Sequence, residues 1–260
     1  MSAGPSATPN HFKQHLAAGQ RQIGLWLALG SPTATEIVAG SGYDWLLLDL
    51  EHTMIDLGQV TDHLRAAKGG SAEMVVRVPW NDPVTFKRLL DAGVRSFMVP
   101  MVQSAQEARA AVAATRFPPH GIRGAAGNTR ASNFARNPSY MQRAHEEQCI
   151  VVQIETTRAV DAIEEIGAVD GIDGLFIGPN DLAASLGLVG RTTHPDVQEL
   201  IARALAKIRS TGKGSGILNF VPAEARAFLQ AGFTFIAVGS DSAIVARRSE
   251  SLLQEIKATP

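Results

Sequence analysis

Eight short apolar runs, each followed by a longer amphipathic stretch, constrain this chain more than any other feature. The runs cover residues 23–29, 45–50, 74–79, 96–102, 149–154, 174–177, 216–220 and 233–238. Most carry no polar alternation, the pattern of strands covered on both faces. Helical spacing fills the intervals at 34–39, 60–67, 83–92, 105–115, 158–166, 195–210, 223–231 and 243–257. Asn81-Asp82-Pro83 supplies a cap and then a proline for a first turn, and His194-Pro195-Asp196 resembles it. Gly40, Gly69, Gly93, Gly212 and Gly232 close helical stretches.

Eight strand–helix units in 260 residues predict an α/β chain folded as one (β/α)8 barrel over residues 1–260. An open doubly wound sheet is the rival. That fold normally has fewer strands, and its Gly-x-Gly-x-x-Gly phosphate loop does not follow the first run. Residues 1–20 read as an extension or helix before the barrel. Residues 117–148, with Pro118-Pro119 and a glycine-containing polar tract, break the rhythm and read as a long loop with a short helix over 140–147.

Bulk properties narrow the function. A hydrophobic fraction of 45% fills one sizeable core, and a net charge of −1 without any block of like charge gives no reason to expect nucleic acid or a membrane surface as partner. Cys149 is the single cysteine, so no disulfide forms within the chain and a reducing compartment fits. The first ten residues lack the basic-then-apolar order of a signal peptide, and no apolar run approaches the ~18 residues of a membrane span. The expectation is a cytoplasmic protein.

In a barrel, chemistry belongs at the C-terminal ends of the strands. Those ends hold Asp49-Leu50-Glu51-His52, Arg77 followed by Trp80-Asn81-Asp82, Gln153-Ile154-Glu155, Gly178-Pro179-Asn180-Asp181, Leu218-Asn219 and Asp241. Glu155 and Asp181 end neighbouring strands, ~4.8 Å apart, and repel unless a cation lies between them. By position alone they read equally as solvated strand-end acids or helix caps. Gln153 shares the face of Glu155. Arg77 lies in the apolar run Val75-Val76-Arg77-Val78-Pro79, where burial requires an anion. That anion is a substrate oxygen, Asp49 or Glu51, and a purely structural ion pair is the other reading. Backbone N–H groups in Gly178-Pro179-Asn180-Asp181 suit a carboxylate, with Asn180 and Asp181 better placed than Pro179, which has no N–H. Gly121-Ile122-Arg123-Gly124 reads as a tight basic loop near the mouth. The six lysines, Lys13, Lys68, Lys87, Lys207, Lys213 and Lys257, avoid strand ends, which argues against imine chemistry.

Taken in order, these segments together with Gly24-Leu25-Trp26, Val99-Pro100-Met101-Val102 and Phe176-Ile177-Gly178-Pro179-Asn180-Asp181-Leu182 resemble the HpcH/HpaI aldolase family over nearly the whole chain. The resemblance implies a barrel of the phosphoenolpyruvate/pyruvate type and a class II aldolase. Such an enzyme cleaves 4-hydroxy-2-oxo acids reversibly to pyruvate, or a related 2-oxo acid, and an aldehyde. It implies a divalent ion (Mg2+, Mn2+ or Co2+) on Glu155 and Asp181, with no Schiff-base lysine and no nucleotide. His52 is implied as acid/base residue, Arg77 as contact to the keto or enolate oxygen, and Asp49 as the family's strand-two acid. Gln153, Gly178, Pro179, Asn180, Asp181 and Leu218 are implied around the substrate. Asp91 is implied as the orienting partner of His52. It ends a helix at the bottom of its own barrel, so it reaches a mouth only from a neighbouring subunit, in a hexameric trimer of dimers with an exchanged C-terminal helix.

The chain departs from close relatives at Leu50, where some have glycine, and in 54–58 and 128–137, segments expected around the distal part of the aldehyde. The other readings are an oxaloacetate decarboxylase or other lyase on the same site, a coenzyme A lyase, and a non-catalytic ketoacid- or metal-binding barrel.

Overall fold

The computed structural model describes residues 9–258. The first eight residues of the expected N-terminal extension lie outside them. Eight parallel strands run β1 Gln22–Leu27, β2 Trp45–Asp49, β3 Glu73–Arg77, β4 Ser96–Val99, β5 Cys149–Ile154, β6 Gly174–Ile177, β7 Gly214–Leu218 and β8 Phe235–Ser240. They pair in sequence order, and β1 pairs with both β2 and β8, so the sheet closes. Closure removes the open-sheet alternative.

The helices are α1 His11–Ala17, α2 Pro32–Ala39, α3 Val60–Ala66, α4 Pro83–Ala92, α5 Ala105–Thr115, α6 Tyr140–Arg143, α7 Thr157–Asp161, α8 Ile163–Gly167, α9 Pro179–Ser185, α10 Pro195–Ser210, α11 Pro222–Ala231 and α12 Asp241–Lys257. The stretch expected as one helix over 158–166 is two short helices that break at Ala162. The segment 117–148 carries α6 and a 3-10 turn, Ala144–Glu146, within the span expected for its short helix.

Period-two alternation sorts the strand residues into two cores. Trp45, Leu47, Val75, Met98, Val151, Phe176 and Phe235 fill the inside of the barrel. Leu46, Leu48, Val76, Val99, Val152 and Ile177 face the helices. Glycine makes room for the large interior rings: a Cβ on Gly24 would meet Trp45 at 2.2 Å, and one on Gly216 would meet Phe235 at 2.2 Å. Helix α1 closes the base, with the Phe12 ring 5.5 Å from Trp45 and 5.6 Å from Phe235. Its cap, Asn10, is buried and donates to Ser96 Oγ at 2.9 Å. The interior is thus packed with rings from the base upward, and at the other end Asp49, Arg77, Gln153 and Glu155 are buried.

The outer helices differ in one respect. α10 buries Val197, Leu200, Ile201, Ala204, Leu205 and Ile208. α12 buries only Asp241 and leaves Ile244, Val245, Leu252, Leu253 and Ile256 exposed.

Candidate active site

The mouth is built around Arg77, the last residue of β3. Its Nε and Nη2 donate to the two oxygens of Asp49 at 2.9 and 2.7 Å. Its Nη1 lies 2.9 Å from Glu51 Oε2, an ion pair without the alignment of a hydrogen bond. The sequence alternatives for its counter-ion, Asp49 or Glu51, are both realised. A guanidinium has five N–H groups, so three make no hydrogen bond among the described residues. Below it lies the Trp26 ring, 5.4 Å from the guanidinium carbon.

Asp49 closes β2 and spends both oxygens locally. Oδ1 also accepts from the backbone N–H groups of Glu51 and His52, at 3.0 and 3.3 Å. Burial acts to raise its pKa, but the Arg77 bonds and charge and the two N–H groups hold it below the usual value. Asp49 therefore fixes Arg77 and the turn that carries His52. The His52 side chain is 66% exposed and has Nε2 3.8 Å from Glu51 Oε2. It stands at the mouth with a face open to solvent.

Glu155 follows β5 and is buried. Its Oε2 accepts from the Met101 backbone N–H at 2.8 Å, and its Oε1 accepts from Gln153 Nε2 at 2.9 Å. Burial, with the charges of Asp181 and Glu51, pushes its pKa up to about 7 against the lowering effect of the Met101 N–H and Arg77. Glu51 is raised too, first by burial and then by Asp49 and Asp181, against Arg77 and His52. Three acids, Glu51, Glu155 and Asp181, thus share one field. Gln153 Oε1 is buried and accepts no bond.

Asp181 sits in the first turn of α9, not at the end of β6 as the sequence suggested. Pro179 at the first helical position starts a helix that the apolar pattern did not reveal. Gly178 spends its N–H on Ile154 O at 3.2 Å. Its role is room: a Cβ there would meet Glu155 Cγ and Oε1 at 2.7 Å. Among the described residues, the N–H groups of Asn180 and Asp181 have no partner. Leu218 ends β7 against the interior core.

The oxygen-rich set suits a hard divalent cation. Two carboxylates gain from a positive charge between them, and the unpartnered Gln153 oxygen gains a partner. Among the described residues no group of three or more His, Cys, Asp or Glu converges as a ready cage. Glu155 and Asp181 would leave coordination positions for water and substrate.

Other sequence candidates fall elsewhere. Asp241 is structural: its Oδ1 accepts from the Ala28 N–H at 2.8 Å and its Oδ2 from the Leu29 N–H at 3.3 Å. Gly121-Ile122-Arg123-Gly124 is at the base, because Ile122 and Arg123 bond to Ala113 and Arg116 at the C-terminal end of α5. Asp91, in the last turn of α4, is also at the base, and its Oδ1 accepts from Arg123 Nη2 at 2.8 Å. Segment 128–137 joins it there, with Ala131 N–H bonded to Asp91 O. Leu50 packs in the outer core and not in the mouth.

Sequence reasoning missed Met101. This residue has φ 54°, a left-handed backbone unusual for methionine, which points its N–H at Glu155. A backbone donor leaves no side-chain signature, and only Pro100, which stops β4, hinted at a turn there.

Two clefts of about 610 and 460 Å3 open away from these residues. The larger lies beside the 130–148 segment, and two of its lining arginines are already paired, Arg95 with Glu73 at 2.8 Å and Arg143 with Glu146 at 2.7 Å. Unspent donors and crowded acids make the mouth the candidate site.

Comparison with known proteins identifies the family. The model of the HpcH/HpaI aldolase/citrate lyase family matches residues 22–247. A 4-hydroxy-2-oxo-heptane-1,7-dioate aldolase of Shigella sonnei is 48% identical over 244 residues, 94% of this chain and 93% of that one. A 5-keto-4-deoxy-D-glucarate aldolase of Klebsiella pneumoniae is 46% identical over 249 residues, 96% of this chain and 97% of that one. The crystal structure of an HpcH/HpaI aldolase/citrate lyase family protein from Burkholderia cenocepacia superposes with a TM-score of 0.93 at 42% identity, covering 96% of this chain and all of that one.

Proposed function

Because this chain belongs to the HpcH/HpaI aldolase/citrate lyase family, we propose that it cleaves 4-hydroxy-2-oxo acids reversibly to pyruvate, or a close 2-oxo acid, and an aldehyde. It is a carbon–carbon lyase, as its aldolase relatives are. The observation that carries the reading is the meeting, at one strand-end rim, of mutually repelling Glu155, Glu51 and Asp181 with an arginine that has three N–H groups outside any hydrogen bond.

Glu155 and Asp181, with the Gln153 amide oxygen beside them, would hold a divalent cation; Mg2+, Mn2+ and Co2+ all suit oxygen donors. When bound, the cation supplies Lewis-acid polarisation of the 2-oxo group and charge for the enolate oxygen. The rest is the work of the chain. Arg77, locked by Asp49, directs its remaining N–H groups at the oxygen where negative charge develops. The N–H groups of Asn180 and Asp181 receive the substrate carboxylate beside Pro179 and Gly178. In cleavage, His52 removes the C4 hydroxyl proton, directly or through one water, as the C3–C4 bond breaks; in synthesis it returns that proton to the aldehyde oxygen. Leu218 walls the apolar side of the 2-oxo acid.

Within one copy the acid beside His52 is Glu51, at 3.8 Å from its Nε2 and already paired with Arg77. Asp91 of a second copy is the orienting acid in our reading, within a hexameric trimer of dimers whose α12 helices are exchanged. Two features support this: the exposed apolar residues of α12, and a carboxylate held at the base where nothing in its own mouth can use it. The protein then works as one barrel domain per copy, on small-molecule substrates. The single, buried cysteine supports a cytoplasmic setting, and no helix among the described residues is long and apolar enough to cross a membrane.

The test is exchange of pyruvate methyl protons with D2O, followed by NMR on chelator-treated enzyme with and without Mg2+ or Mn2+. Metal-dependent exchange that vanishes in Glu155→Ala and Asp181→Ala is expected. Exchange that persists without metal would refute the site. Cleavage and decarboxylation also separate: His52→Asn should lose aldol cleavage yet keep oxaloacetate decarboxylation, which has no hydroxyl proton to remove.

A further inference from the structure

Arg123 is fully buried, and burying a guanidinium is costly unless its partners repay the lost hydration. Its single carboxylate partner, Asp91, has a side chain 27% exposed and offers only Oδ1, at 2.8 Å. The remaining contacts are neutral: Nη1 and Nη2 both donate to Tyr140 Oη at 3.1 Å, and the guanidinium carbon lies 4.3 Å from the centre of the Phe117 ring. Nε is buried and, among the described residues, donates to nothing. As a stabilising bridge this arrangement is poor. Asp91 is poor for stability as well, because a carboxylate in the last turn of a helix opposes the helix dipole.

As a positioning device it is well made. The fork fixes one carboxylate oxygen, the Tyr140 hydroxyl stops the fork from rotating, and the Phe117 ring sets its plane. Among the described residues Asp91 Oδ2 accepts no bond. We infer that Arg123 is a positioning residue for catalysis: it clamps Asp91 so that the second oxygen is presented to the His52 imidazole of a second copy of this chain. The inference rests on the second-copy reading given above and adds the residue that makes Asp91 directional. Tyr140 and Phe117 belong to the same clamp.

A double-mutant cycle tests it, with kcat and KM measured for cleavage of a 4-hydroxy-2-oxo acid across pH. Asp91→Asn should lower kcat about a hundredfold and Arg123→Met about tenfold, both with little change in KM. The double variant should be no slower than Asp91→Asn alone, because residues that act as a unit are non-additive. In Arg123→Met the acid limb of the kcat profile should move to lower pH, since an imidazole that loses an aligned carboxylate holds its proton less tightly. Arg123→Lys, which keeps the charge and lacks the fork, should resemble Arg123→Met with an unchanged melting temperature. Multiplying losses in the double variant, or an unmoved acid limb, would overturn the assignment. Dissociating and mixing the impaired Asp91→Asn and His52→Asn proteins tests the reading beneath it. Recovery of activity supports the second copy; no recovery with the cycle still non-additive would remove the second copy and keep the Arg123–Asp91 unit.

Discussion

Two buried arginines hold two aspartates at opposite ends of this barrel, and they do so differently. At the mouth Arg77 engages both oxygens of Asp49, a side chain only 4% exposed, and adds Glu51. At the base Arg123 engages one oxygen of Asp91 and leaves the other outward. The first pair is complete within one chain. The second leaves one carboxylate oxygen unbonded among the described residues. A closed pair serves as scaffold for chemistry beside it, whereas an open pair serves whatever docks against it.

The largest expected effect comes from breaking the closed pair. Arg77→Met strands Asp49 and Glu51 in a buried site, so the cleavage rate should fall about a thousandfold and the unfolding free energy by about 3–5 kcal/mol. Arg123→Met should cost far less stability, because Asp91 turns into water when released. Urea unfolding of both variants beside the parent decides the matter: equal destabilisation would make the two pairs the same kind of bridge and end the distinction.

The open pair predicts a dependence on assembly. Leu253→Asp on the exposed apolar face of α12 should separate the copies in sedimentation velocity. It should also lower aldol cleavage about a hundredfold, the loss expected when His52 has no orienting acid. A dissociated variant with full cleavage activity would show that one mouth suffices.

At the mouth, charge crowding sets a pH dependence. Glu155 holds its proton up to about 7, against a usual value of 4.5. Between those values the folded chain keeps a proton that the unfolded chain has released, so stability without cation falls as pH rises through the window, by about 3 kcal/mol. Glu155→Gln should flatten that slope. Mg2+ should raise the melting temperature of the parent more at pH 8 than at pH 5, and that of Glu155→Gln at neither. A parent whose Mg2+ shift is the same at both pH values would remove Glu155 from the cation site.

What could be read from the sequence follows the same physics. Strands covered on both faces announce themselves, and β5 and β6 have the expected bounds. β7 starts at Gly214, two residues early, because Gly214 is covered by Leu16 of α1 and Ser215 by bonds to Thr234, contacts between distant segments. α9 has seven residues, too few for a periodic pattern. Arg77 and Glu155 were legible because a charge in or just after an apolar strand is an anomaly that needs a cause. Met101 acts through its backbone and was not. Asp91 was accessible only through family resemblance, since one chain gives it no visible task. The Arg123 loop was assigned to the wrong end because a basic glycine-flanked turn looks the same at mouth and base.

Leu50 gives the smallest expected effect and the sharpest limit on the mouth. As a departure from relatives with glycine between two mouth residues, it invites a role in aldehyde choice. Its neighbours in the strand-end turn do face the site, Asp49 toward Arg77 and Glu51 beside it. Leu50 lies between them and points the other way, into the core that includes Leu27, Leu48 and Val78. Leu50→Ala should therefore cost about 2–3 kcal/mol of stability, as truncation of a buried leucine does. The ratio of kcat/KM between a short and a long aldehyde should stay within about twofold, since one methylene is discriminated only where it touches the substrate. A larger change in that ratio would mean that the outer core deforms the mouth, and the aldehyde pocket would then have to be sought behind the strand ends as well as in front of them.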